Sequence, residues 1–175
     1  MNKAQFMKAA RSGNHHLIEK YIKDGFDIST DGNLALREAT FHGHFDVIKT
    51  LIENGADVNI EYINGDTALM RAVMVGRNEI VKTLIDYGAD INAKDNDGWT
   101  ALIYASYREY NDIVKTLLID YQAKVSEIDK GMLKEIGATF TLDLIAKIEF
   151  EKQLQQEVKP IPEIPIKKKS LSMKI

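Results

Sequence analysis

The amino-acid sequence predicts an all-α solenoid, in which helix-turn-helix units stack along one axis. The first observation is internal repetition: residues 94–126 repeat residues 61–93, with Leu69 and Ala72 matched by Leu102 and Ala105, 33 residues on. The second is that residues 81–84 and 114–117 have the same four-residue sequence. The third is that each copy leaves an apolar face that only a neighbouring unit can cover.

The sequence of this repeat resembles the repeat of the ankyrin family. The resemblance rests on Gly-Asp-Thr-Ala-Leu at residues 65–69, Ala72, Ile-Val-Lys-Thr-Leu-Ile at residues 80–85 and Gly-Ala-Asp-Ile-Asn-Ala at residues 88–93. The resemblance covers residues 2–126, roughly 70% of the chain. It implies paired helices joined by short β-hairpin fingers, and a scaffold that binds other proteins.

Two departures from the family's sequence pattern affect stability. The family's Thr-Pro-Leu-His reads Thr-Ala-Leu-Met at residues 67–70 and Thr-Ala-Leu-Ile at residues 100–103. The proline and histidine that help to begin and tie together the first helix are therefore missing. We expect modest stability rather than a different fold.

The predicted organisation has three parts. About four repeats are followed by a helical cap and then by a disordered, basic, Pro/Lys-rich segment, which we call the tail. The boundaries are residues 2–30 for a degenerate first repeat that caps the N-terminal end, 31–60, 61–93 and 94–126 for the other repeats, 127–156 for the cap and 157–175 for the tail.

Local irregularities mark both ends of the array. The link from Ile28 to Leu36 is three residues shorter than the one from Val58 to Leu69, which predicts a shortened β-finger before a helix over 35–41. In the fourth repeat Glu109 replaces the glycine between the helices, and the second helix holds one extra residue. In the cap, Asp129 is predicted to begin a short helix.

Composition and charge limit the classes of function. The chain has no cysteine, so disulfides and thiolate metal sites are excluded, and a reducing compartment is favoured. No apolar run is long enough to cross a membrane, and no signal peptide is evident. Residues 159–175 carry about +4 and residues 1–158 about −7, which argues against nucleic acid as a ligand of the repeats.

No catalytic, cofactor or metal site is predicted. We therefore expect that the protein is not an enzyme. His15 and His16 are adjacent and expected to point apart on a helix, and His44 is expected to support the turn before its helix. Residues 95–98 resemble the start of a calcium loop, but its twelfth position is Ser106 rather than glutamate. We therefore predict that no metal or other cofactor is bound.

The resemblance implies that variable positions at finger tips and at the ends of first helices face a partner across a concave surface. Many of them are apolar, as is typical of an interface. The open alternative is that they pack finger against finger and helix against helix. The predicted partner-binding residues are Phe41, His42, Ile63, Asn64, Met74, Val75, Asp97, Trp99, Tyr107 and Arg108.

The leading functional hypothesis is a cytoplasmic, monomeric adaptor or scaffold that binds another protein on this surface. One alternative is a modulator or inhibitor of a partner enzyme, including a secreted effector that acts in a host cell. Another is binding of nucleic acid or an anionic membrane through the tail alone. Asn59 and Asn92 also match the finger asparagine that is hydroxylated in some members of the family.

Overall fold

The computed structural model describes residues 2–157, apart from the side chains of residues 29, 30 and 157. This part of the chain forms ten α-helices and no strand. They are α1 (Lys3–Ser12), α2 (His15–Lys23), α3 (Ile28–His42), α4 (Phe45–Glu53), α5 (Ala68–Met74), α6 (Asn78–Asp86), α7 (Ala101–Tyr107), α8 (Asn111–Lys115, continued by a π-helical turn at Thr116–Asp120), α9 (Glu127–Glu135) and α10 (Thr139–Glu157).

The helices form successive pairs that stack into two layers. The first helix of each pair contacts the first helix of the next, from α1 through α3, α5 and α7 to α9, and we call these the inner helices. The second helices form the outer layer, with contacts between α2 and α4, between α6 and α8 and between α8 and α10. Each unit thus packs mainly on its neighbours, and the predicted helical solenoid is confirmed.

One continuous hydrophobic core runs through the stack. Equivalent leucines of successive inner helices, Leu36, Leu69 and Leu102, are all buried. Thr67 and Thr100 begin α5 and α7 by accepting hydrogen bonds from backbone amides in the first helical turn. The repeat therefore begins its inner helix without the proline that the family places there.

The link between the first two units is helical, so the prediction of a shortened finger there was wrong. Helix α3 begins at Ile28, well before the predicted start of the helix over 35–41, and it contains Gly32. A Cβ atom at Gly32 would lie 2.8 Å from Cβ of Ile28 and 3.6 Å from Cβ of Ala56. The Cβ atom of Ile28, one turn earlier in α3, therefore leaves no room for a side chain at Gly32, and a helix forms here despite the low helix propensity of glycine.

Two finger loops occur, at residues 60–66 (finger 1) and 93–99 (finger 2). In finger 1 the Tyr62 amide donates to the Asp66 carbonyl at 3.0 Å, and in finger 2 the Asp95 amide donates to the Trp99 carbonyl at 3.0 Å. A Cβ atom at Gly65 would lie 2.9 Å from the backbone nitrogen of Asn96, so the fingers pack backbone to backbone. The predicted tight turns are present, but β-hairpin strands are not confirmed within the described residues.

Asparagines tie each unit to the next through side-chain bonds to the backbone. The side-chain oxygen of Asn59 accepts from the amide of Asp90 at 2.7 Å, and that of Asn92 accepts from the amide of Lys124 at 2.7 Å. Asn33 accepts in the same way from the amide of Asp57, also at 2.7 Å. The bonds of Asn59 and Asn92 pair a backbone amide of one unit with a side chain of the unit before it, and the bond of Asn33 is partly buried.

The irregularities of the fourth repeat have a clear structural form. The extra residue of its second helix is accommodated by the π-helical turn at Thr116–Asp120. Glu109 and Gln122 replace glycines and keep the left-handed backbone, with φ of 58° and 53°. The array retains its turn geometry there at the expense of backbone strain.

Two further helices stack on the fourth unit. Ser126, not Asp129 as predicted, is the N-cap of α9, and Asp129 completes a capping box by accepting from the Ser126 amide at 2.8 Å. Lys94 of finger 2 bonds the same carboxylate at 2.9 Å. Helix α10 has 19 residues, against nine in α6, and residues 149–156 are exposed.

No helix among residues 2–157 combines the length and apolar character needed to span a lipid bilayer. From residue 158 onward, the predicted basic tail lies outside the residues that the structure describes.

Candidate protein-binding surface

The ends of three inner helices form a row of large apolar side chains. Phe41, Met74 and Tyr107 occupy equivalent positions 33 residues apart, at the ends of α3, α5 and α7. Phe41 is 50% exposed and Tyr107 is 58% exposed. Met74, which belongs to the unit between theirs, is half-buried. Because neighbouring inner helices pack about 8–10 Å apart, the row is regularly spaced.

In two of these three units the next residue is polar. His42 is exposed and stacks on His44, with ring centroids 6.0 Å apart. Val75 is half-buried and Arg108 is exposed. His42 and Arg108 thus place polar side chains beside the apolar row.

The predicted finger residues differ in exposure. Ile63 is 93% exposed, and Asn64 and Asp97 are also exposed, but Trp99 is half-buried. The amide of Asn96 donates to the carbonyl of Asn64 at 3.1 Å, which fixes finger 2 against finger 1. The tips are therefore held in place while their side chains remain accessible.

Trp99 packs into an aromatic cluster with residues of α7. Its ring centroid lies 5.0 Å from that of Tyr104 and 5.5 Å from that of Tyr107. The Tyr104 hydroxyl donates to the Asp95 carboxylate at 2.5 Å, and burial together with this bond raises the pKa of Tyr104. Trp99 thus packs finger 2 on its inner helix, as the alternative interpretation expected, and brings Tyr107 and the finger together.

The predicted site residues form two groups. Trp99 and Tyr107 are in contact, and Phe41 packs edge-on against His42 with centroids 5.2 Å apart. Among the described residues no ring contact joins these two groups. Only the half-buried Met74 and Val75 of α5 lie between them in the stack.

The histidines are arranged partly against expectation. The Nε2 of His44 lies 2.8 Å from the carbonyl oxygen of Arg11 in α1, so the side chain bonds the preceding unit, and it makes no capping bond to its own helix α4. His15 and His16 do not point apart: their ring centroids lie 5.8 Å apart, and their ligand atoms and one of Glu19 fall within 4.8 Å of one another. The Nε2 atom of His15 also lies 2.8 Å from the hydroxyl oxygen of Thr50. The three side chains therefore form a cluster on the helix surface, and this bond holds His15 in place.

A slot that sequence analysis missed lies between α3 and finger 1. Leu34 and Arg37 line one side, Tyr62 and Ile63 the other, and the volume is about 470 Å³. The Tyr62 hydroxyl donates to the Asn33 carbonyl at 3.0 Å, and the Arg37 guanidinium lies 5.3 Å from the centre of the Tyr62 ring. Burial raises the pKa of Tyr62, which keeps this hydroxyl a donor.

The signal for the slot was the short link between the first two units. Those three missing residues remove the finger that would otherwise lie beside finger 1. Sequence analysis took the short link for a smaller finger, whereas a helix leaves the side of finger 1 uncovered.

The stacked helix pairs, the finger loops and the asparagine bonds define a class of protein, the helical-repeat solenoid. The sequence matches the family of ankyrin repeats, in three copies, over residues 2–62 and 58–129. The chain belongs to the ankyrin repeat family. Ankyrin repeats are generally protein–protein interaction modules, and the family is typically not enzymatic. No curated protein matches the sequence.

Proposed function

We propose that the array is an adaptor or scaffold that binds a protein partner along the finger tips and the inner-helix ends. The residues assigned to this contact are those predicted from the sequence. Exposed Phe41, Ile63 and Tyr107 supply most of the apolar area, and Asn64, Asp97 and Arg108 supply polar contacts. Trp99 holds finger 2 in position.

The observation that carries the proposal is the exposure of these large apolar side chains, with Phe41 and Tyr107 at equivalent helix ends and Ile63 at a finger tip. Burying an exposed apolar side chain in an interface removes its surface from water, and large aromatic residues dominate interface energies. Within a repeat that already has a complete core, an apolar residue at 58% or 93% exposure contributes little to folding. Their shared position at fingers and helix ends favours one binding surface.

Site-specific photo-crosslinking tests this proposal. A photoreactive amino acid is placed at Ile63 or at Tyr107 in the full chain, and crosslinked proteins from cell extract are identified by mass spectrometry. The expected result is the same partner from both positions. Phe150 of α10, which is 60% exposed, is the matched control position on a surface outside the proposed site.

Two results would contradict the proposal. One is capture of the partner at Phe150 but at neither Ile63 nor Tyr107. The other is unchanged capture after both Ile63→Ser and Tyr107→Ser, measured on variants whose melting temperature matches that of the parent chain.

We further propose that the chain acts as a monomer in the cytoplasm, of its own cell or of a host cell. The absence of cysteine fits a reducing compartment. The charge of about −7 on residues 1–158 disfavours nucleic acid as the ligand of the repeats.

A further inference from the structure

His15, His16 and Glu19 bring three side chains of metal-ligating type together on the surface of α2. His15 Nε2 lies 3.9 Å from one carboxylate oxygen of Glu19, and His16 Nδ1 lies 3.9 Å from the other. One donor atom from each residue lies within 4.8 Å of those of the other two. Sequence analysis expected no metal here because the two imidazoles were expected to point apart, and the structure places them side by side.

Helix geometry explains how two adjacent histidines reach the same point. Residues 15 and 16 are about 100° apart around the helix axis. Glu19 is four residues after His15 and three after His16, so it lies between these two directions, one turn further along the helix. The carboxylate is therefore within reach of both rings, and one of its oxygens faces each of them.

The spacing of the donor atoms is close to that around a single metal ion. Ligand atoms bound at about 2.0–2.2 Å from one ion lie about 3.0–3.5 Å from one another. The two nitrogen–oxygen distances of 3.9 Å are slightly longer than this. The side chain of His16 is 95% exposed, so it can turn toward an ion without disturbing the core.

Thr50 of α4 fixes the position of His15. The hydroxyl oxygen of Thr50 lies 2.8 Å from His15 Nε2, and the side chain of His15 is half-buried. One ligand is therefore held by the second unit before any ion binds, which reduces the entropy lost on binding. When Nε2 binds the ion, its hydrogen bond to Thr50 is exchanged for the metal bond, and the neutral Thr50 oxygen remains beside the ion.

We propose that His15, His16 and Glu19 form a site for a divalent transition-metal ion of the zinc type, with water in the remaining positions. Imidazole nitrogen together with carboxylate oxygen suits Zn²⁺, Ni²⁺ and Cu²⁺, whereas Mg²⁺ and Ca²⁺ favour oxygen ligands alone. The positive end of the α2 dipole and the exposure of His16 both oppose tight binding. We therefore expect micromolar affinity, weaker than that of closed structural zinc sites.

Titration of the full chain with Zn²⁺, in a preparation that carries no added histidine tag, tests the site. The chain has four histidines, and NMR spectra of the imidazole groups follow each of them. The signals of His15 and His16 should shift together up to one Zn²⁺ per chain, while those of His42 and His44 stay unchanged. Mg²⁺ should shift none of the four. Calorimetry of the same titration gives the affinity and the number of ions bound.

Matched variants assign the ligands. Because loss of a mere supporting partner of a metal ligand lowers affinity 10–100-fold, His16→Ala and Glu19→Gln should each weaken Zn²⁺ binding at least about tenfold. Neither residue belongs to the hydrophobic core, so both variants should melt like the parent chain in the absence of Zn²⁺. Glu79→Gln is the control and should leave the affinity unchanged, since it alters an exposed carboxylate on α6, a helix without histidine.

Three results would overturn the proposal. One is the absence of any shift or heat at about 1 mM Zn²⁺, the concentration range of very weak binding. The second is a shift of His42 and His44 instead, or unchanged affinity in both ligand variants. The third is one ion per two chains with a dimer in sedimentation, because the site would then be formed between two copies.

Discussion

Glu109 and Gln122 hold positions that the other units give to glycine. Both have a left-handed backbone, at φ of 58° and 53°, and residues other than glycine adopt it at a cost of about 1 kcal/mol or more. The sequence alone identified Glu109 as a lost glycine. It could not predict whether the turn would change shape or keep it, because that depends on how strongly the packed helices on either side fix the turn.

Restoring the glycine should stabilise the chain. We expect Glu109→Gly to raise the free energy of unfolding by about 1 kcal/mol, measured by urea denaturation, because the strain is relieved at an exposed site. Glu135→Gly, at an exposed position of helix α9, is the control and should lower stability by about 1 kcal/mol. A loss of stability from Glu109→Gly would show that the side chain contributes more than the strain costs.

The exposure of some residues of the candidate site was predictable from the sequence, and that of others was not. Exposure of Phe41, Ile63 and Tyr107 followed from their alignment with the variable positions of the family. The half-buried state of Trp99 did not, because its contacts with Tyr104 and Tyr107 depend on the angle between finger and helix, which a repeat pattern leaves undefined.

At the scale of elements, the regular repeats were predictable and the array ends were not. Helices α5 to α8 follow from the 33-residue period and from apolar spacing, since each unit has a full copy on at least one side. Helix α3 could not be predicted in full, because Gly32 in a sequence normally indicates a loop. Its packing against Ala56 is a long-range contact that local patterns do not contain.

Asp129 links two elements, because it completes the capping box of α9 and pairs with Lys94 of finger 2. Burial alone would raise its pKa, but the hydrogen bonds from Lys94 and Ser126 hold the pKa of this carboxyl below its usual value of 3.8. The folded state therefore favours the carboxylate. The resulting stability is present above about pH 4 and is lost as the pH falls through the lower, folded pKa.

Asp129→Asn tests this pH dependence. We expect the variant to lose about 1 kcal/mol at pH 7, because the cap weakens and the ion pair is removed. The difference between variant and parent should shrink below about pH 4, where the parent carboxyl also becomes protonated. Asp143→Asn on the exposed side of α10 is the control. A difference that stays constant down to pH 2 would contradict the assignment.

For the whole molecule, contacts between neighbouring units predict a graded stability. Each inner helix contacts mainly the inner helices on either side, and the final unit has only one neighbour. In such arrays a terminal unit can unfold while the remainder stays folded. The solenoid predicted from the sequence, with about four helix-turn-helix repeats and a helical cap, already carries this property.

Two buried leucines test the gradient. Leu84 of the third unit and Leu133 of α9 are both fully buried, and truncation to alanine should cost about 2–5 kcal/mol at either site. Leu133→Ala should remove amide-exchange protection in α9 and α10 only. Leu84→Ala should lower protection on both sides of α6, because central units support both neighbours. Equal loss of protection throughout the chain in both variants would mean that the array unfolds as one cooperative unit.

Trp99 is the only tryptophan in the chain, and it lies where finger 2, helix α7 and the candidate surface meet. Selective excitation of its indole therefore reports on one known place in the array. Unfolding of the fourth unit would separate the indole from Tyr104 and Tyr107 and shift its emission to longer wavelength. A ligand covering Tyr107 would instead shield the indole from a dissolved quencher, so one optical signal distinguishes loss of the unit from occupation of its surface.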